Sequence, residues 1–481
     1  MSSQSQLDRG DADARSGVRQ PGIARPGAVL AVLSLAAFMA SLDVFIVNVA
    51  FDSIGKDFHG SSLSQLSWVL NAYAIVYAAL LVPAGRIADR YGRKGGFVAG
   101  LALFTAASAA CAASEGIWWL VTFRVLQAAG AALLTPASLG LVIAAAKPEH
   151  RARSVRIWAA TGAVAAAFGP VVGGVLVEAS WRWVFLVNVP IGIVALVAAV
   201  RLLPRSRDAS VTRIPDVLGA TLLALGVGAL ALGLVQGPDW GWVGAKTDAA
   251  WAVVVIGLAG FVLSSARHPV PVIEPALLRV RAFAWSNVTA LLFSIAFAAS
   301  LLSAVLWMQQ VWGYSAIETG LGIAPGPLMV PLFAALAHRF AARLPIGLVV
   351  STGCLLLAAG AIITATRVGA APDYASQLLP GWLVGGAGVG LALPSILSSA
   401  TADLPPARAS TGSAVVNMNR QIGTALGVSL LVAVLGLPVG YGAAHEAFQH
   451  GWWMLAVAAL LAAVAAPRMT PRRADGHGAT G

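Results

Sequence analysis

Fourteen apolar stretches run through this chain, and each is long enough to cross a lipid bilayer. A helix needs about 20 apolar residues to span the hydrocarbon core. Inside lipid every backbone polar group must be satisfied within the spanning segment, so such stretches fold as helices. They are expected at 28–50, 65–84, 95–113, 117–141, 157–177, 183–200, 217–236, 249–266, 283–309, 319–337, 345–366, 376–398, 409–437 and 451–467. The connections between them are too short to hold a separate soluble domain. Composition agrees: 58% of the 481 residues are hydrophobic and only 11% are charged, against about a quarter charged in soluble domains. Soluble enzymes and disordered scaffolds are excluded. The first stretch is too long for a signal-peptide core and lacks a small-residue cleavage site, so it reads as a retained span. The fold class expected is an all-α polytopic membrane protein.

The chain carries a net charge of +11, a value that on a soluble protein would suggest nucleic acid as partner. The positions of the charges argue otherwise. With the N-terminus inside, 25 basic residues fall in inside segments and four in outside loops, namely Lys56, Arg182, Lys246 and Arg367. The acidic residues divide almost evenly, ten inside and nine outside. Basic bias without acidic bias is the positive-inside pattern. Thirteen of the 15 Trp, among them Trp118, Trp119, Trp181 and Trp453, lie near outer helix ends, as an interfacial belt requires. The lipid bilayer is therefore the expected partner, not nucleic acid, with both termini cytoplasmic. The 27 Arg against four Lys, with abundant Ala and Gly, fit a GC-rich bacterial chain and hence a bacterial cell (inner) membrane. Cys111 and Cys354 sit in separate apolar stretches and suggest neither a disulfide framework nor a metal site. No Gly-x4-Gly-Lys-Ser/Thr string occurs, so ATP does not drive this chain directly.

Several strings carry more than hydropathy. The connection between spans 2 and 3 reads Gly85-Arg-Ile-Ala-Asp89-Arg90-Tyr-Gly92-Arg93-Lys94. Span 4 carries Arg124-Val-Leu-Gln127-Ala-Ala-Gly130, and span 5 carries Gly162, Gly169-Pro170 and Gly173-Gly174. Span 1 has Leu42-Asp43-x-x-Ile-Val-Asn48, and span 6 opens with Trp181-Arg182-Trp183-x-Phe185-x-x-Asn188-x-Pro190. Span 13 has Asn419-Arg420-Gln421-x-Gly423-x-x-x-Gly427. Together these resemble the major facilitator superfamily, on its fourteen-span drug:proton antiporter branch. The departures are Ala128, where the family usually has Gly, and the region His338-Arg339-Phe-Ala-Ala-Arg343, which lacks the Gly-Asp pattern of its first-half counterpart. The second gate is accordingly expected to be looser.

The resemblance implies a major-facilitator fold: two six-helix bundles plus two inserted helices around a cavity that opens alternately to each side. The expected organisation is a cytoplasmic tail 1–27, an N-terminal bundle 28–200, a two-helix insertion with linkers 201–282, a C-terminal bundle 283–467 and a cytoplasmic tail 468–481. It implies export, coupled to protons, of small and mostly hydrophobic drugs or antibiotics. A dedicated exporter of one metabolite or natural product carries the same motifs, and an importer is disfavoured by the span 5 pattern. A membrane-bound enzyme or sensor is disfavoured because no soluble domain and no intramembrane His or acidic cluster is present. The energy source expected is the proton gradient, with no cofactor, no metal and a monomeric chain.

Charged residues at membrane depth are costly and mark functional sites. Asp43 is the one carboxylate well inside a span, and Arg124 and Arg420 are the two embedded cations. Counted from the outer ends of their expected spans, Asp43 and Arg124 both lie about 10 Å deep, close enough to face each other. They are candidates for proton coupling, and a fixed structural ion pair is the plainer alternative. Gly85, Asp89, Arg90, Gly92 and Arg93 are the expected cytoplasmic gate, or ordinary positive-inside charge. Gly162, Gly169, Pro170, Gly173 and Gly174 form the antiporter motif, and tight helix packing is part of any account of them. Candidate cavity residues are Asn48, Asn71, Tyr73, Gln127, Asn417, Arg420 and Gln421. For Arg420 and Gln421, contact with an anionic or carbonyl-bearing substrate and capping of a broken helix are equally open.

Overall fold

Serine caps begin two of the spans. Ser62 and Gln65 bond reciprocally at the start of one helix, as Ser315 and Glu318 do at another, satisfying backbone donors that a helix start leaves unpaired. The computed structural model describes residues 26–207, 213–341, 343–436 and 440–471. Most of both expected tails, 1–25 and 472–481, lies outside the described residues.

Among the described residues fourteen helices are long and apolar enough to cross a membrane. They are α1 (Pro26–Asp57), α2 (Leu63–Tyr91), α3 (Arg93–Ala112), α4 (Ile117–Ala145), α5 (Pro148–Ala179), α6 (Trp183–Leu202) and α7 (Val217–Trp240). The remainder are α8 (Ala245–Arg267), α9 (Arg281–Val311), α10 (Ala316–Phe340), α11 (Ile346–Arg367), α12 (Leu379–Ala402), α13 (Arg408–Leu435) and α14 (Tyr441–Met469).

Two expectations need correction. The Gly85–Lys94 connection is not a loop: α2 continues to Tyr91 and α3 begins at Arg93, leaving Gly92 alone between them. Gly92 has φ 124°, a region that side-chain-bearing residues rarely occupy. Also, α1 continues to Asp57, two turns beyond the expected end at residue 50. Asp43 is therefore about 21 Å from the end of its own helix at 1.5 Å per residue, not 10 Å. It still meets Arg124 because α1 overhangs its neighbours.

The helix packing repeats. In the first half α3 packs on α4, α1 on α5, α2 on α4, α3 on α6 and α1 on α6. The same five pairings recur eight helices later: α11 on α12, α9 on α13, α10 on α12, α11 on α14 and α9 on α14. Two six-helix bundles of one architecture result. Small residues set the closest approaches in both. A methyl at Gly169 of α5 would stand 2.6 Å from Phe45 of α1, and one at Gly423 of α13 would stand 2.5 Å from the Leu291 carbonyl of α9. The bundles meet along two seams, α2 against α13 and α5 against α10. The extra pair packs outside them: α7 lies on both α2 and α13, and α8 packs on α7.

Candidate functional site

Asp43 sits in the core of the first bundle with no solvent exposure, and Arg124 is 1% exposed. Neither charge is tolerable there alone, since an unpaired buried ion costs several kcal/mol. The pair is closed by an ion pair of 2.5 Å between Arg124 Nη1 and Asp43 Oδ2. Three helices complete the coordination. Gln127 Nε2 of α4 donates to Asp43 Oδ1 at 2.8 Å, and Asn188 Nδ2 of α6 donates to the same oxygen at 3.1 Å. Gln127 also accepts from Arg124 Nη1 at 2.7 Å and donates to Ser108 Oγ of α3 at 2.7 Å. Arg124 Nε donates to the Val69 carbonyl of α2. The spacing Arg124-x-x-Gln127 puts both side chains on one helix face, which is why one carboxylate can be held by both.

Tyr73 of α2 covers this network. The Arg124 guanidinium lies 4.1 Å from the centroid of the Tyr73 ring, within cation–π range. Tyr77, one turn on, is nearly parallel to Tyr73 with centroids 6.0 Å apart. Across the seam, α13 packs on α2 and carries Arg420. A run of contacts thus leads from Asp43 through Arg124 and Tyr73 to Tyr77, on α2, the helix that packs against α13 of the other bundle.

Arg420 shares a polar face of α13 with Asn417 and Thr424, at helical spacings of three and four residues. Its Nη1 donates to Asn417 Oδ1 at 3.1 Å, while its buried Nε has no acceptor. Gln421 is half-buried beside them. The neighbouring face is packed instead: Asn419 donates to Asn287 of α9 at 2.6 Å.

The other two cavity candidates make contacts of a different kind. Asn71 donates to Ser429 of α13 at 3.0 Å and so bonds the two bundles across the seam. Asn48 donates to the Val44 carbonyl one turn back in its own helix.

Antiporter-motif residues occupy both faces of α5. Gly162, Gly169 and Gly173 face Ser41, Phe45 and Ile46 of α1, whereas Gly174 and the Pro170 carbonyl face Ala316 and Gly320 of α10. The motif therefore joins α1, the helix of Asp43, to the opposite bundle. Links between bundles cluster at the end of the molecule that carries Trp181. Besides these glycines, Gln309 Nε2 donates to the Val49 carbonyl at 3.0 Å and the Ile317 amide donates to Glu178. Gln309 is directed there by a π-helical turn, Trp307–Val311, at the end of α9, and such turns often mark functional positions.

At the opposite end, Asp89 pairs with Arg93 at 2.6 Å, bridging the Gly92 break within one bundle. Gly85 packs on Pro136 of α4, and Arg90 lies over the Tyr91 ring. Lys94 donates to the Val200 and Leu203 carbonyls at the end of α6, a favourable place for a cation. Glu274, in the linker before α9, accepts from Arg86 of α2 and lies 3.6 Å from Arg408 of α13.

Sequence reasoning did not select Ser108, Val69 or Asn188 as site members. Asn188 stood in the Trp181–Pro190 string and was accessible that way. Ser108 and the Val69 carbonyl carry no sequence signal, because any serine or backbone group facing the pair would serve.

Two six-helix bundles of one architecture, the first with a buried charged network in its core, are the architecture of a membrane transporter. Residues 33–428 match the family model described as Major Facilitator Superfamily, and the chain belongs to that family, one of small-molecule transporters and not of enzymes. It is 33% identical to the methylenomycin A resistance protein of Bacillus subtilis (strain 168), over 90% of this chain and 93% of that protein. It is 30% identical to the tetracenomycin C resistance and export protein of Streptomyces glaucescens, over 94% and 81%. It is 32% identical to the multidrug resistance protein B homolog of Mycobacterium tuberculosis (strain ATCC 25618 / H37Rv), over 84% and 75%. Its fold is similar to that of a peptide transporter POT in complex with sulfate, with a TM-score of 0.67 at 18% identity, covering 91% of this chain and 93% of that one.

Proposed function

We propose that this chain is a proton-coupled antiporter that exports small, mostly hydrophobic drugs or antibiotics by alternating access. The observation that carries the reading is the Asp43–Arg124 pair, sealed from solvent and covered on one side by Tyr73. In this state the Asp43 side chain accepts from three donors. Protonating it would remove the charge that Arg124 balances, freeing the guanidinium to shift and its cover with it. Loading of a substrate between the bundles would act on the same path from the other side, through Tyr77 and Tyr73. Proton and substrate then compete for one network, which is what antiport requires.

The positive-inside rule supports reading the Asp89 end, with its basic residues, as the cytoplasmic one. The links between bundles at the Trp181 end support reading this as the state that admits substrate from the cytoplasm. The Asp89–Arg93 pair would act as the latch of the cytoplasmic gate in the opposite state, by exchanging partners across the bundles. In this scheme residues 28–200 and 283–467 are the moving halves and 201–282 the inserted pair.

A narrower reading, a dedicated exporter of one natural product, is favoured by the relatives named for single antibiotics.

The test is compound-induced proton movement in liposomes holding the purified protein and a trapped pH dye. Export of substrate should drive protons the opposite way, and Asp43→Asn should abolish that movement. Transport indifferent to the pH gradient would eliminate antiport.

A further inference from the structure

Arg420 poses a problem of charge balance that the proton site does not solve. Among the described residues, the charges well inside the spans are Asp43, Arg124 and Arg420. Asp43 is fully taken by Arg124, Gln127 and Asn188, and no ion pair to Arg420 forms among the described residues. A guanidinium has five donors. Here one goes to the neutral Asn417, and the buried Nε goes to nothing. A lone cation at this depth is expensive to keep. Asn417, Arg420 and Thr424 form a polar stripe on the face of α13 next to the one that packs on α9. Across the seam, Tyr77 stands on α2, the helix that packs on α13, and brings an aromatic surface. The stripe therefore offers an unneutralised cation, hydrogen-bonding groups and a ring, with no free carboxylate to attract a positive ligand.

We infer that Arg420 is the anchor for an anionic group of the substrate, so that the transported compounds are small apolar organic acids and not lipophilic cations. The inference rests on the export reading and narrows it. A carboxylate or phenolate supplies the missing acceptor to the guanidinium fork, and the apolar body of the ligand lies against the tyrosines. An anion held on α13 faces α2, the helix whose stacked Tyr77 and Tyr73 cover Arg124, so occupancy and proton release would bear on the same helix. A cationic compound would meet like charge at Arg420 in a medium that screens it poorly.

The test uses the full chain in a bacterial host stripped of its own exporters. Three sets of toxic compounds of similar size are compared: carboxylic acids and acidic phenols, uncharged compounds, and the permanent cations ethidium and tetraphenylphosphonium. Protection against acids should exceed protection against the cations at least fourfold in inhibitory concentration. Arg420→Gln should remove at least three quarters of the acid protection, and Arg420→Lys, which keeps the charge, should retain about half. The amount of each variant in the membrane is measured alongside. The wild-type comparison needs no variant, so a misfolded one still leaves the matter decidable. Equal or greater protection against the cations overturns the inference, as does undiminished acid protection by Arg420→Gln at wild-type abundance. Protection against none of the three sets, with no compound-induced proton movement in liposomes, overturns the export reading itself.

Discussion

The ring of Tyr73 lies 4.1 Å from the guanidinium of Arg124 and forms a cover over a buried ion pair whose other member is Asp43. The cover belongs to α2, the pair to α1 and α4, and the next aromatic, Tyr77, stacks on Tyr73 along α2. In the alternating-access proposal, movement of α2 along its seam with α13 would uncover or seal the charge.

Removing the aromatic cover should open a leak. Tyr73→Ala exposes the ion pair to the space between bundles and should raise substrate-free proton flux severalfold in liposomes with a trapped pH dye. Tyr73→Phe keeps the ring over the cation and should stay within about twofold of wild type. An Ala variant as tight as wild type would show that Tyr73 is not the seal.

The ion pair itself separates coupling from folding. Asp43→Asn keeps shape and some hydrogen bonds while losing the titratable charge. It should lower gradient-driven export in inverted vesicles by at least tenfold yet leave equilibrative exchange of substrate. Asp43→Leu should behave differently, because it removes the hydrogen-bond acceptor as well as the counter-charge from buried Arg124, at a cost of about 3–5 kcal/mol. A large loss of folded protein, read by thermal melting in detergent, is expected for that variant.

Steric contrasts within α5 test the antiporter motif. A methyl at Gly162 would meet Ser41 Oγ at 3.6 Å, an ordinary contact, whereas one at Gly169 would lie 2.6 Å from Phe45 Cβ. Gly162→Ala should be neutral in melting temperature. Gly169→Ala should destabilise by about 1–3 kcal/mol, the usual cost of overpacking. Gly174→Val should act on transport instead, since a methyl there already stands 2.6 Å from the Ala316 carbonyl of the opposite bundle. It should hold the Trp181 end ajar and raise passive flux of substrate through the protein.

One hydrogen bond between bundles can be weighed directly. Asn71 and Ser429 are both fully buried and bond at 3.0 Å. A double-mutant cycle with alanine at each position should give a coupling of about 0.6 kcal/mol, typical of interhelical bonds in membranes. A coupling in the resting state that vanishes when the protein is trapped with its Trp181 end open would mark the bond as part of that gate.

Span number, helix class and family were legible in the residues because each rests on local patterning. A run of about 20 apolar residues has one fate in a bilayer, and strings such as Arg124–Gly130 or Gly169–Gly174 sit contiguously in the chain. Asp43 and Arg124 stood out for a similar reason: an isolated charge in an apolar run is visible without any structure. Helix ends were less legible, since hydropathy falls off before the helix does. The turns 51–57 and 85–91 are amphipathic or charged and still helical.

The amino-acid sequence by itself determined what must be buried in lipid, which charges must find partners, and which helices present small residues for close approach. Only the tertiary structure decided who those partners are. Asn188 reaches Asp43 across 145 positions, and Asn71 reaches Ser429 across 358. Asn71 and Arg420, both candidates for the cavity, were parted in the same way: one bonds the seam, the other is left with an unpaired donor. The physical reason is that a buried polar group is indifferent to sequence distance and sensitive to a few tenths of an ångström. Its role is therefore set by how the helices pack and not by the string in which it occurs.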